Sequence, residues 1–260
     1  QTVGKRIWVR IEKTKIGMVG NKGPGLFGLK VLSIAASIVI FLGFLTFIFI
    51  SGNDTHSSDK GELKTVMLED GTKVILNADT TIKVPNGFGE DSREIFLEGE
   101  AYFEVKMDSL RPFIIETAAS RTKVLGTKFN LYAYREEPNV LALEEGSVEF
   151  GATSKDNPII LKPGELVMFQ DGKPVKKVFE DNGHRAWMER KLVFKDRPFD
   201  YVVNNLERFY GVTIEIKKTG LISRKYNGVH NDPPLEQLLE DMAFVMKFDF
   251  EINENSIIIY

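Results

Sequence analysis

Three textures of hydrophobic and polar residues follow one another along the chain. The first is an unbroken apolar run, residues 31–50 (VLSIAASIVIFLGFLTFIFI), with no charged side chain among its twenty positions. At a helical rise of about 1.5 Å per residue such a run covers roughly 30 Å, the hydrocarbon thickness of a bilayer. A buried globular helix would keep a polar face. A cleaved leader would be shorter and end at small residues, whereas this run ends Phe47-Ile48-Phe49-Ile50. The pattern predicts one uncleaved transmembrane helix within residues 26–50.

The second texture is strict alternation in short pieces. TVMLED, KVILN, REIFLEGEAYFEV, PFIIET, SRTKVLGTKFNLYAY, VLALEEGSVEF, IILKPGELVMFQDG and PVKKVF are separated by turn signals such as Asp70-Gly71. They predict an all-β domain over residues 63–180, a sandwich, barrel or solenoid of about ten strands. Residues 51–62, SGNDTHSSDKGE, read as a polar linker before it.

The third texture, residues 187–260, has helical periodicity. Phe199, Val202, Val203, Leu206 and Phe209 fall on one face, and Leu235, Leu238, Leu239, Met242 and Val245 on another. At an offset of 36 residues the two segments superimpose: Asp196 on Asp232, Pro198 on Pro234, Leu206 on Met242, Ile216 on Ile252. Each copy is a proline-started helix followed by a strand, VTIEI or FDFEI, with strands LVF, KYNGV and SIIIY flanking them. One copy alone leaves its apolar helix face open. Two on a small sheet close it, which predicts a compact α+β domain with a duplicated βα unit.

Charge orients the span. Lys5, Arg6, Arg10, Lys13, Lys15, Lys22 and Lys30 precede it against the single acid Glu12, while Asp54, Asp59, Lys60 and Glu62 follow. The positive-inside rule puts residues 1–25 in the cytoplasm and 51–260 outside. Ile7, Trp8 and Ile11 fit either the end of an amphipathic helix or a juxtamembrane anchor, and a chain that begins at Gln1 is expected to have lost upstream residues. The formal net charge of −3 gives no reason to expect direct nucleic-acid binding. With no cysteine there are no disulfides, thiolate metal sites or cysteine nucleophiles.

Candidate chemistry is sparse. His56, His184 and His230 lie far apart and lack metal-pair spacing, and no phosphate loop, Gly-x-Ser-x-Gly or metalloprotease motif occurs. Glu98, Glu100 and Glu104 are expected on one solvated strand face, Lys162-Pro163-Gly164-Glu165 in a tight turn, and Phe88 as a lid over the core or a contact residue. No enzyme, cofactor or metal is expected. The awkward feature is Gly126-Thr127, inside the β-prone stretch Ser120–Tyr134. Glycine weakens a strand interior, so it marks a bulge or a close backbone approach.

The series LEDGTKVILNADTTIKVP, REIFLEGEAYFEV, PFIIET, VLGTKFNLYAY, LEEGSVEF and LKPGELVMF resembles the FecR family over most of Leu63–Phe169. These are bacterial inner-membrane sigma-factor regulators, often called anti-sigma factors. Trp187–Tyr260 resembles the C-terminal domain of the Bacteroidetes-type members, itself similar to the short N-terminal signalling domain of TonB-dependent receptors and secretins. The resemblance implies two partners: an extracytoplasmic-function sigma factor inside, and the signalling domain of a TonB-dependent outer-membrane receptor outside. It implies a relay completed by proteolysis. Residues 1–25 are shorter than the family's usual sigma-binding segment. The resemblance also implies a use for Gly126-Thr127, since some members cut themselves there by an N–O acyl shift, which a strained peptide would speed. A membrane-anchored envelope adaptor or ligand-binding scaffold without a sigma factor is the alternative.

Overall fold

The computed structural model describes residues 40–41, 53–152, 158–170, 173–179 and 183–260. The chain divides into two units, 1–51 and 52–260. In the first, only Ile40 and Phe41 are described, in helical conformation, so the expected span and basic flank lie outside the described residues. Among the described residues no helix is long and apolar enough to cross a membrane.

The second unit begins with a 13-stranded sheet, where about ten strands were expected. Its opening strands are β1 (Asp54–Ser58), β2 (Lys64–Met67), β3 (Lys73–Leu76) and β4 (Thr80–Val84). β1 falls in the stretch expected to be linker: DTHSS has no apolar alternation, and pairing along β4 makes it a strand. The long β5 (Arg93–Glu104) leads to β6 (Phe113–Glu116), β7 (Ser120–Val124), β8 (Lys128–Ala133) and β9 (Val140–Glu145). β10 (Val148–Ala152), β11 (Ile159–Leu161), β12 (Glu165–Gln170) and β13 (Lys173–Val178) complete it.

β5 belongs to both halves of this sheet. Its first half lies between β4 and β6, its second between β3 and β8. The change occurs at Gly99 (φ 119°), where a side chain would collide with Thr80. One half-sheet therefore runs β1-β4-β5-β6-β7-β10-β11 and the other β2-β3-β5-β8-β9-β12-β13, nearly closed around one core. Phe103, Phe113, Phe129 and Phe150 fill that core, with Phe88 packed edge-on against Phe113.

A 3-10 segment, Gly183–Glu189, leads into the tail: β14 (Lys191–Pro198), α1 (Phe199–Tyr210), β15 (Thr213–Ile216), β16 (Lys225–Asn231), α2 (Leu235–Met246), β17 (Phe250–Asn253) and β18 (Ser256–Ile259). β14 pairs with β16, and β18 lies between β15 and β17. The 36-residue repeat is visible in the backbone. Asp196 and Asp232 both adopt positive φ, and each helix ends in a left-handed residue, Gly211 or Lys247. Pro198 and Pro234 sit one residue earlier than expected, at the N-cap, so α1 and α2 start at Phe199 and Leu235. α1 buries Phe199, Val202, Val203 and Leu206; α2 buries Met246 in place of the expected Val245, which faces solvent. These faces close a second core with Leu192, Phe194, Ile257 and Ile259.

Candidate functional site

Gly126 and Thr127 lie where the chain crosses between the half-sheets. β7 pairs with β6 and β10 in one, β8 with β5 and β9 in the other, and residues 125–127 make the step. Neither residue has the left-handed φ at which strain would be argued, so the expected strain is not found there. Close packing is found instead. A Cβ on Gly126 would stand 2.6 Å from Met107 Sδ and 2.7 Å from Met107 Cα. On the other side is the β9–β10 turn, where a Cβ on Gly146 (φ 92°) would stand 2.6 Å from Thr127 Cγ2 and 2.8 Å from the Gly126 carbonyl oxygen.

Thr127 is 4 % exposed, and its hydroxyl oxygen has no hydrogen-bond partner. An unsatisfied buried hydroxyl costs about 1–3 kcal/mol and calls for an explanation. The backbone around it is well held: Val105 N–H donates to the Thr127 carbonyl (2.9 Å) and Asp108 N–H to the Leu125 carbonyl (2.8 Å). The arrangement thus fixes the peptide and leaves a hydroxyl, the group an acyl shift needs, without competing bonds.

The FecR protein family matches residues 54–149, and the FecR C-terminal family residues 191–259. Two crystal structures of a "putative anti-sigma factor" from Parabacteroides distasonis, at 1.65 and 2.50 Å, are 31% identical in sequence. They cover 80% of this chain, which in turn covers 98% and 99% of theirs, with TM-scores of 0.73 and 0.74. The chain belongs to the FecR family. Among curated proteins no match is found.

In this FecR-family chain a second constellation joins the β domain to the tail. β8 turns Phe129 and Leu131 into the core, while Asn130 and Tyr132 point to the opposite face, yet those too are buried. The tail covers them. Trp187 Nε1–H donates to Asn130 Oδ1 (3.2 Å), and Asn130 and Asn77 both donate to Glu100 (2.7 Å each). Glu100 is therefore not on the solvated face expected of it, although Glu98 is. Burial pushes its carboxyl up to about 7, only partly offset by the two asparagines and the Arg208 charge.

From α1, Arg208 reaches Glu137 Oε1 at 2.8 Å and the Tyr132 hydroxyl at 3.0 Å, with its guanidinium 3.9 Å from the centre of the Tyr134 ring. Its carbonyl accepts from Gly61 N–H (2.7 Å), so the strap between β1 and β2 is part of this seam. His184 Nε2 is 2.8 Å from Glu144 Oε1. Burial raises the Glu144 carboxyl, but hydrogen bonds from His184 and Tyr102 and the Arg185 charge outweigh it and hold it below the usual range. His56 pairs with Asp54 and His230 with Tyr226, and no cluster of metal-ligating side chains occurs among the described residues. Sequence reasoning missed the seam. Its one available hint was polar residues alternating with core residues on β5 and β8.

Proposed function

We propose that this chain is a single-pass inner-membrane regulator of the anti-sigma type. Residues 1–25 face the cytoplasm and bind an extracytoplasmic-function sigma factor; 26–50 span the membrane; the β domain (63–180) and tail (187–260) lie in the periplasm. The tail, of Bacteroidetes type and similar to the short N-terminal domain of secretins and TonB-dependent receptors, receives the signalling domain of such a receptor. Proteolysis then frees a cytoplasmic segment. The observation that carries this reading is the 31% identity across 98% of a chain described as a putative anti-sigma factor.

Within this reading Gly126–Thr127 is a self-cleavage bond. The Thr127 hydroxyl oxygen attacks the Gly126 carbonyl carbon, the C–N bond breaks as the C–O ester bond forms, and the hydroxyl proton passes to the released amine. Water then opens the ester, leaving a Gly126 carboxylate and restoring the hydroxyl. What supports it is the buried, unpartnered Thr127 hydroxyl in a corner where Met107 packs on Gly126 and Gly146 on the Thr127 methyl.

The topology gives the cut a use. The ladders β5–β8 and β7–β10 join residues on opposite sides of the bond, so the two pieces stay together without it. The tail and β8 belong to the same piece, so a pull on the tail bears on the β5–β8 ladder. Cutting converts an external contact into a separable strand.

The test is capture of the full-length protein, carrying a C-terminal tag, from detergent-solubilised membranes. A sigma factor is expected to co-elute, together with a receptor signalling domain that is lost when residues 190–260 are deleted. A stable envelope complex without a sigma factor would overturn the reading in favour of an adaptor.

A further inference from the structure

The residue that ties the cleavage corner together is distant in sequence. Arg93, the first residue of β5, is fully buried and uses all five of its N–H groups. Nε–H donates to the Arg111 carbonyl (2.9 Å); Nη1 donates to the Lys106 carbonyl (2.7 Å) and Asp70 Oδ2 (2.9 Å). Nη2 donates to the Asp108 carbonyl (3.5 Å) and the Leu125 carbonyl (3.3 Å). Three of these acceptors lie in the crossover from β5 to β6, residues 105–112, and the fourth carbonyl is that of the residue just before Gly126.

We propose that Arg93 is the positioning residue for the Gly126–Thr127 bond, clasping the β5–β6 crossover to Leu125 and so fixing the backbone on both sides of that bond. The inference rests on the self-cleavage reading above. The chain makes the crossover necessary: β6 runs parallel to the first half of β5, so the connection passes through the other half-sheet and must return. It returns directly over Gly126. Its amides at Val105 and Asp108 hold the Thr127 and Leu125 carbonyls, and Met107 covers Gly126 itself.

An apolar side chain could fill part of the volume of Arg93, but it could not tie four carbonyls. Burying a guanidinium is expensive unless every donor is used and the charge is paired. Asp70 supplies the pairing, and Thr72 extends it: the Thr72 amide and hydroxyl donate to Asp70 (2.9 and 2.7 Å), while the hydroxyl accepts from Lys106 N–H (3.1 Å). Lysine cannot replace this planar fork, having three donors on a single point charge. Asp108, whose carbonyl Arg93 holds and whose amide holds Leu125, also orders the turn of the crossover: its carboxylate accepts from the amides of Leu110 and Arg111.

The experiment follows conversion of the tagged full chain to the fragment beginning at Thr127, in membranes after a pulse of synthesis. Three variants are compared with wild type: Arg93→Lys, Asp108→Ala, and Phe150→Leu as a core-destabilised control away from the clasp. Misplacing reacting atoms by about 1 Å costs on the order of a hundredfold in rate. Arg93→Lys is expected to slow cutting by about that factor, Asp108→Ala by several-fold without loss of folded protein, and Phe150→Leu hardly at all. Because the clasp acts on the attack, hydroxylamine, which opens esters, is expected not to restore cutting in Arg93→Lys. Arg93→Lys cut as fast as Phe150→Leu, or rescued by hydroxylamine, would overturn the proposal. If Arg93→Lys does not accumulate, Asp108→Ala decides, and cutting at the wild-type rate overturns it. A wild-type chain that stays whole removes the self-cleavage reading as well as the clasp; a wild type that cuts alongside unaffected variants removes the clasp alone.

Discussion

Replacing Arg208 with methionine separates a built interdomain seam from a casual surface contact. The Arg208 and Glu137 side chains are each only 12% exposed in their ion pair, and Glu137 also accepts from the Tyr132 hydroxyl. An exposed pair would contribute about 0–1 kcal/mol. Removing one partner of a buried pair leaves the other charge desolvated and alone, at about 3–5 kcal/mol. The lower end applies here, because Glu137 lies between β8 and β9 and can turn toward water. Arg208→Met is therefore expected to cost about 3 kcal/mol. Glu137→Gln, which strands the cation instead, should cost a similar amount, and the double variant should cost much less than their sum. The assay is urea unfolding of residues 52–260 in the uncut Thr127→Ala background, followed by the fluorescence of Trp187, which sits in the seam, and by circular dichroism. A coupling energy of about 2 kcal/mol or more is expected from the cycle, with the two probes separating in the single variants. Additivity within about 0.5 kcal/mol, with coincident probes throughout, would refute the seam.

Thr127→Val keeps the shape and removes the orphaned hydroxyl, so it is expected to abolish cutting, read as a single intact mass; two pieces divided after Gly126 would mean that the hydroxyl is not the nucleophile. Glu100 has a folded pKa raised from 4.5 to about 7, so the stability it contributes is fully present below pH 4.5 and is lost as pH rises through 7. Glu100→Gln should flatten that fall, read as melting temperature at pH 5.5 and pH 8, and an unchanged slope would contradict the assignment. Gly146→Ala should destabilise the β domain through its left-handed φ and its clash with Thr127, lowering the urea midpoint by an amount that Ser147→Ala does not reproduce.

Local physics was legible in the chain and long-range pairing was not. The helices of the tail followed from 3.6-residue periodicity and two prolines, and the repeat predicted equivalences as fine as Asp196 with Asp232. Val245 was misplaced because helical spacing from Met242 allows either the third or the fourth residue onward, and it is the fourth, Met246, that is buried. β1 was missed because a polar edge strand carries no alternation; its pairing with β4 makes it a strand. Glu100 looked solvated because alternation separates the two faces of a strand without saying what covers the second. Gly126-Thr127 stood out as an anomaly, and the crossing between half-sheets accounts for it. Arg93 gave no sign at all, since four of its five acceptors are backbone carbonyls 13 to 32 residues away.

The measurement that bears most directly on the account is the intact mass of the full chain, purified from membranes through a C-terminal tag, beside its Thr127→Ala variant. Two co-purifying pieces divided between Gly126 and Thr127, against a single intact variant, are predicted. A wild-type chain recovered whole, indistinguishable from Thr127→Ala, would contradict it.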